Sequence, residues 1–75
     1  MKELLLYMAK NLVDNPDAVS DTEVPGEVTV LEHRVAPEDM GKVIGRQGRI
    51  AKEIRTIIKS VAQRDGQKVS VEIVD

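Results

Sequence analysis

An apolar helical pattern breaks at Val43-Ile44-Gly45-Arg46-Gln47-Gly48-Arg49 and resumes immediately afterwards. Glycine accepts backbone angles that other residues avoid, and its missing side chain lets a second backbone come close. The two glycines therefore predict a tight turn between two helices. The unpaired N–H groups that open the second helix would face outward, where an anion can bind. Basic residues crowd this turn in the sequence, which makes a phosphate of a nucleic acid the first interpretation: Lys42, Arg46, Arg49 and Lys52.

Basic residues are concentrated in one part of a chain that is acidic elsewhere. The window from Lys42 to Arg64 holds seven of the eleven lysines and arginines and one acid, Glu53, which gives it a formal charge of +6. The rest of the chain then carries −8, and the net charge is −2. A local basic patch on an acidic body is typical of a domain that attracts phosphate at one site. A charge run alone also fits a solvated helix face that contacts nothing.

The length of 75 residues predicts one domain, 1–75, with a small core. Chains of this size bury only about 60% of their unfolded surface, so a partner or a second copy would be a natural source of stability. The hydrophobic fraction of 41% and the charged fraction of 32% are typical of an ordered chain. The run Leu4-Leu5-Leu6 is too short for a signal peptide or a membrane span, so we expect a cytoplasmic protein.

The sequence pattern does not favour an enzyme, a cofactor site or a metal site. There is no cysteine and only one histidine, which argues against disulfides, thiolate chemistry and zinc. The serines lack a nucleophile-elbow context, and the glycines fit neither a phosphate-binding P-loop nor a dinucleotide fingerprint. His33 lies in a predicted strand without a second ligand, so we assign it a structural role.

Apolar periodicity and turn residues predict the order helix, strand, strand, helix, helix, strand. The expected ranges are 2–14, 19–24, 27–35, 37–44, Arg49 to about Gln63, and 68–74. Pro25-Gly26 would close a hairpin, Pro37 would open the short helix, and Gly66 would end the long one. The result is an α+β domain with a three-stranded sheet packed by three helices.

Two of the predicted helices carry an apolar stripe at helical spacing. The stripe of the first comprises Leu5, Met8, Ala9, Leu12 and Val13. The stripe of the long helix comprises Ile50, Ile54, Ile57, Ile58, Val61 and Ala62. Basic residues should occupy roughly the opposite face of the long helix: Arg49, Lys52, Arg55 and Lys59. Tyr7, the single aromatic residue, points away from the first stripe.

The element order together with a Gly-x-x-Gly loop between the second and third helices resembles the type II KH domain. The residues that carry the match are Val43-Ile44-Gly45-Arg46-Gln47-Gly48, followed by Lys52 and Ile54. One position departs from the pattern, because Ala51 stands where the family usually has a larger aliphatic residue, with Ile50 just before it. This departure predicts either a slightly rotated helix or a shallower groove.

Three segments make the resemblance closer: Arg34-Val35-Ala36-Pro37-Glu38-Asp39, Gly41 to Arg49, and Val71-Glu72-Ile73-Val74-Asp75. With them, essentially the whole chain resembles the KhpA family of stand-alone bacterial KH-domain proteins. The resemblance implies a small cytoplasmic RNA-binding protein that acts as an RNA chaperone. It also implies a homodimer and a heterodimer with a larger KhpB-like protein, and in some bacteria a role in cell-wall growth and cell length.

The expected RNA site is the Gly-x-x-Gly loop and its flanks, since KH loops clamp the backbone of about four nucleotides. Gly45 and Gly48 would let the RNA backbone approach, and cationic side chains would bind its phosphates. Gln47 could hydrogen-bond without adding charge. Bases would lie in a groove between the long helix and the sheet. The full set of expected RNA-binding residues is Lys42, Ile44, Gly45, Arg46, Gln47, Gly48, Arg49, Ile50 and Lys52.

Aromatic stacking cannot add much at this site, because Tyr7 lies on another element. Binding by one copy should therefore be weak, strongly salt-dependent and poor in sequence preference, with selectivity supplied mostly by a partner. Two alternatives stay open at this point. The chain could be mainly a protein–protein dimerisation module with secondary RNA contact, or its ligand could be single-stranded DNA.

Overall fold

The computed structural model describes residues 1–74, and its helices and strands follow the predicted α+β order. Asp75, which ends the last of the three segments that carry the resemblance, lies outside the described residues. The bounds are α1 Lys2–Lys10, β1 Ser20–Val24, β2 Thr29–Arg34, α2 Met40–Ile44, α3 Arg49–Arg64 and β3 Val69–Val74. Single 3-10 turns occupy Pro16–Ala18, Pro37–Asp39 and Arg46–Gly48.

The first helix is shorter than the predicted range 2–14, because α1 ends at Lys10. The backbone N–H groups of Asp14 and Asn15 donate instead to the buried carboxylate of Asp39, over N···O distances of 3.3 and 2.9 Å. Those bonds hold the chain in a turn where a longer helix would have continued. Leu12, predicted in the buried stripe, consequently lies beyond the helix and is 38% exposed.

The sheet has the strand order β1-β2-β3. β1 and β2 form the predicted antiparallel hairpin, with Ser20 opposite Arg34 and Val24 opposite Val30. β2 and β3 are parallel, as a connection through two helices permits. Because β3 stands at the end of the strand order, it is an edge strand. The chain passes from α3 to β3 through Gly66, whose φ of 70° fits its predicted place after the helix.

The helices cover one face of the sheet and form two adjoining apolar clusters with it. The first cluster comprises Leu5, Leu31, Ile54, Ile58, Ala62, Val69 and Val71. The second comprises Ala9, Val19, Val35 and Val43. α1 contributes to both clusters, one turn apart, and so ties the hairpin to the two helices that flank the Gly-x-x-Gly loop.

The buried stripe of α3 differs from the prediction at Ile57, which is 45% exposed. Ala51 is buried in its place, at 4% exposure, and Ile50 is only partly covered. Residues advance by about 100° per position around a helix, so the buried line through Ala51, Ile54 and Ile58 leaves Ile57 to one side. The helix is thus rotated relative to the predicted stripe, which brings Ala51 into the core.

His33 and Asp21 form a buried polar pair across β1 and β2, where they are direct cross-strand partners. Nδ1 of His33 lies 2.5 Å from Oδ1 of Asp21. The pair links the exposed edge strand β1 to the centre of the sheet.

Among residues 1–74, no helix is long and apolar enough to cross a membrane. Within the same range, no three His, Cys, Asp or Glu side chains are grouped so that they could hold a metal ion.

Candidate nucleic-acid interface

The loop between α2 and α3 has an unusual backbone. Gly45 adopts φ 76° and ψ 175°, Gln47 adopts φ 57° and Gly48 adopts φ 74°. Positive φ is open to glycine without a steric cost, whereas Gln47 accepts the left-handed region as a single residue. The N–H of Gly48 donates to the carbonyl of Gly45 over 3.2 Å, which closes the turn. Both glycines of the predicted turn are therefore required by the backbone itself.

Gly45 also has no room for a side chain. A Cβ atom built there would lie 2.6 Å from Cγ1 of Ile50 and 2.9 Å from its Cβ. At Gly48, by contrast, an added Cβ would meet nothing within 4 Å. The first glycine thus lets the loop pack tightly on the start of α3, and the second serves only the backbone turn.

The N-terminus of α3 faces out of this loop. Gly48 occupies the N-cap position and no side-chain oxygen caps the helix, and its first turn holds no acidic residue. The first N–H groups of a helix have no partner within the helix, and the helix dipole makes this end electropositive. Inside the 3-10 turn, the N–H groups of Gly48 and Arg49 donate to the carbonyls of Gly45 and Arg46, so an anion would bind the N–H groups that follow them in the first turn of α3.

Exposed polar side chains surround these donors. Arg46, Gln47, Arg49 and Lys52 are all solvent-exposed. Among residues 1–74, neither Arg46, Arg49 nor Lys52 takes part in an ion pair. Three cations of the predicted site therefore have no ion-pair partner among the described residues.

Lys42 has a different environment from the other predicted cations. Its Nζ lies 2.7 Å from Oδ2 of Asp14 and 3.4 Å from Oδ1 of Asp39. The hydrogen bond that Lys42 donates to Asp14 is the main reason why the pKa of Lys42 is raised above its ordinary value. Sequence reasoning placed Lys42 with the loop cations, but the structure ties its ammonium to two carboxylates.

Asp39 is the centre of this polar cluster, and its side chain is almost fully buried. Burial alone would raise the pKa of Asp39, but hydrogen bonds from the N–H groups of Asn15 and Asp14 and from Lys42 outweigh it and lower the pKa. The carboxylate thereby joins the turn after α1 to the beginning of α2. This contact fixes the short helix that leads into the Gly-x-x-Gly loop. From the sequence, Asp39 was predicted only to be an acidic residue in the first turn of that helix.

The predicted apolar residues lie on both sides of the loop. Ile44 is half-buried and packs against the second cluster, whereas Ile50 packs against the first and touches Gly45. Each leaves part of its side chain uncovered. They offer an aliphatic surface next to the cationic loop, and this surface has no aromatic member.

A groove of about 680 Å³ runs between α3 and the edge strand β3. Arg55, Lys59 and Gln63 line it from the helix, and the strand side is formed by residues 66–71 and Val28. Nε of Arg55 donates to the carbonyl oxygen of Val71 across the groove, over 3.1 Å. The sequence placed Arg55 on the basic face of α3 but gave it no role in the groove, because only the rotation of the helix and the identity of the edge strand bring it there.

Comparisons with known proteins agree with this geometry. The family model of the KhpA/KhpB KH domain matches residues 2–73. "RNA-binding protein KhpA" of Clostridium acetobutylicum is 60% identical over 99% of this chain and 100% of its own length. The protein of the same name from Clostridium perfringens is 57% identical over the same shares.

A solved structure supports the fold alone. The crystal structure of Era from Aquifex aeolicus matches 96% of this chain with a TM-score of 0.57 and 19% sequence identity. The chain spans 28% of the length of that structure, so the likeness concerns one part of a larger protein.

Proposed function

Because this chain belongs to the KhpA/KhpB KH-domain family, we propose that it binds single-stranded RNA through the loop that joins α2 and α3. The observation that carries the proposal is the pair of positive-φ glycines at the uncapped start of α3, beside three cations that have no ion-pair partner among residues 1–74. The two Clostridium proteins that match this chain over their full length are named RNA-binding protein KhpA. The backbone turn accounts for both glycines, but it does not account for the flanking cations.

In the proposed complex, the N–H groups at the start of α3 donate to phosphate oxygens of the RNA backbone. Arg46, Arg49 and Lys52 add charge-assisted contacts, and Gln47 adds an uncharged one. The adjoining bases lie over Ile44 and Ile50. Lys42 contributes least among the predicted residues, because phosphate would have to compete with Asp14 and Asp39 for its ammonium.

Charge governs the strength of this binding. Release of counterions from a single strand gives log Kobs a slope of about −0.7 against log salt for each phosphate neutralised. Three free cations therefore predict a slope of about −2. The loop holds the backbone and not the base edges, so it grips many sequences. Weak, reversible grip of this kind suits an RNA chaperone that binds, releases and rebinds.

The double variant Arg46→Asp with Gln47→Asp tests the assignment. We expect it to abolish binding of a labelled single-stranded RNA in fluorescence anisotropy, while circular dichroism and thermal melting stay near wild type. The matched control is Lys10→Asp with Asn11→Asp at the exposed end of α1, which changes the net charge equally. Wild-type binding by the loop variant at moderate salt would refute the site. An equal loss of RNA affinity in both variants would show that the change in net charge, and not the loop, is responsible.

The second candidate function is assembly with another KH protein, either as a homodimer or with a larger KhpB-like partner. Ile57 at 45% exposure and Tyr7 at 70% exposure favour it, because aromatic residues are enriched in interfaces and the buried core of an interface is apolar. Two linked RNA sites would also strengthen a weak grip by raising the effective concentration. We extend the proposal to action in the cytoplasm and, through bound RNAs, to gene expression and cell-wall growth, as the family resemblance implies.

Sedimentation equilibrium of the isolated chain separates the two candidates. A dimer that Ile57→Lys converts to a monomer, with RNA binding per chain retained, would support assembly as a second function. A monomer at high micromolar concentration would count strongly against the homodimer.

RNA and single-stranded DNA of one sequence, compared in the anisotropy assay, decide which nucleic acid is the ligand. Equal affinity for the two would contradict a preference for RNA.

A further inference from the structure

The hydrogen bond between Arg55 and Val71 fixes a guanidinium at the edge of the sheet. The backbone polar groups of successive strand residues point to alternate sides, and the carbonyl of Lys68 faces β2, where it accepts from Thr29. The carbonyl of Val71 therefore faces the free edge of β3, and Nε of Arg55 binds it over 3.1 Å. An arginine carries five N–H donors, so four remain on its two terminal nitrogens.

This contact changes what the groove wall can recognise at that point. The carbonyl of Val71 would otherwise be an acceptor for a base amino group, but Arg55 already occupies it. The wall offers donors there, since Arg55 has no acceptor atom. Guanine presents two adjacent acceptors, O6 and N7, which match an arginine fork. Adenine places an amino donor beside N7, so this edge would set a donor against the arginine fork.

We propose that Arg55, oriented by the Val71 carbonyl, reads a guanine in the groove between α3 and β3. The inference rests on the proposed RNA-binding function and deepens it: the loop grips the backbone, and Arg55 supplies one base preference within this chain. The groove volume of about 680 Å³ admits a base, and its wall includes no aromatic residue on which other bases could stack equally well. A single bond holds the arginine in place, which reduces the side-chain entropy lost on binding.

Base analogues test the inference without altering the protein. The probes are labelled adenosine octamers with one central guanosine, inosine or 7-deazaguanosine, compared with the all-adenosine octamer. A uniform adenosine tract lets the protein choose the register. We expect guanosine and inosine, which keep O6 and N7, to bind at least about fivefold tighter than adenosine. The deaza analogue, which lacks N7, should bind about as weakly as adenosine.

Variants locate the preference on Arg55. Arg55→Lys keeps the charge but loses the fork, so all four octamers should then bind within about twofold of one another. A general structural defect would instead weaken all four octamers and leave the ratios between their affinities unchanged. Lys59→Gln is the matched control in the same groove and should weaken all four octamers equally.

Two results would overturn the inference: guanine preference that persists in Arg55→Lys, or a deaza analogue that binds the wild-type chain as well as guanosine. Absence of guanine preference, with binding still abolished by the Arg46→Asp and Gln47→Asp variant, would refute the inference and leave the proposed function standing. Wild-type binding of every octamer by that loop variant would refute the proposed function itself.

Discussion

Replacing Gly45 by alanine should be the most damaging single change in the loop. Its backbone angles, φ 76° and ψ 175°, lie in a region that is essentially open to glycine only. A non-glycine residue there costs about 1–3 kcal/mol in strain. The new Cβ would also lie 2.6 Å from Cγ1 of Ile50, and such overpacking costs about 1–3 kcal/mol more. We expect Gly45→Ala to lower the free energy of unfolding by about 3 kcal/mol or more.

Two other glycines provide graded controls for this prediction. Gly48→Ala meets no neighbouring atom and carries only the left-handed backbone cost of about 1–2 kcal/mol. Gly41→Ala falls inside α2 with open space around it, so it should stabilise the helix by about 0.5–1 kcal/mol. A domain of this length has only about 4–11 kcal/mol of stability in total, so these differences are measurable.

Urea unfolding followed by circular dichroism measures all three variants. The expected stability order is Gly41→Ala, wild type, Gly48→Ala, Gly45→Ala. In an Ile50→Ala background, the cost of Gly45→Ala should fall, because the contacts at Cγ1 and Cδ1 disappear while the strain remains. Equal stability of the Gly45 and Gly48 variants, or no coupling to Ile50, would refute the packing argument.

The polar clusters give three further predictions. Asp39→Asn should lower the free energy of unfolding at neutral pH and flatten the acid limb of a plot of melting temperature against pH. Because the pKa of Asp39 is lowered in the folded state, its ionised carboxylate contributes fully to stability above the ordinary pKa of 3.8. That contribution is lost as the pH falls through the pKa of the folded state. Lys42→Gln should leave the salt slope of RNA binding near wild type, whereas Arg49→Gln should reduce it by about 0.7; equal slopes for both variants would contradict the distinction. His33→Leu should cost about 1–3 kcal/mol in urea unfolding, since it leaves the buried carboxylate of Asp21 without its partner, and a neutral result would contradict this.

Sequence patterns were sufficient for the features that local chemistry controls. The two glycines, the hairpin at Pro25-Gly26 and the end of α3 near Gly66 each depend on residues close in the chain, and each was predicted. The loop cations were also predicted as a group, since the loop and the first turns of α3 bring them together whatever the rest of the fold does.

Features that depend on distant contacts could not be predicted in this way. α1 ends early because Asp39, 24 residues away from Asn15, binds the turn after the helix. The same carboxylate holds Lys42, so a cation of the predicted patch is partly neutralised. Ile57 was predicted to be buried but is exposed, and Ala51 is buried, because the rotation of α3 depends on its packing against the sheet. The position of Arg55 in the wall of the groove could not be predicted either, because it depends on β3 being an edge strand.

An NMR titration of the isotope-labelled chain with single-stranded RNA tests the central claim most directly. We expect the backbone amide signals of residues 45–50 to shift most, followed by those of residues that line the groove between α3 and β3. The amides of α1 and of the uncovered sheet face around Glu32 and Glu72 should move little. Largest shifts on that sheet face, with the loop amides unmoved at saturation, would contradict the assignment of the loop as the RNA clamp.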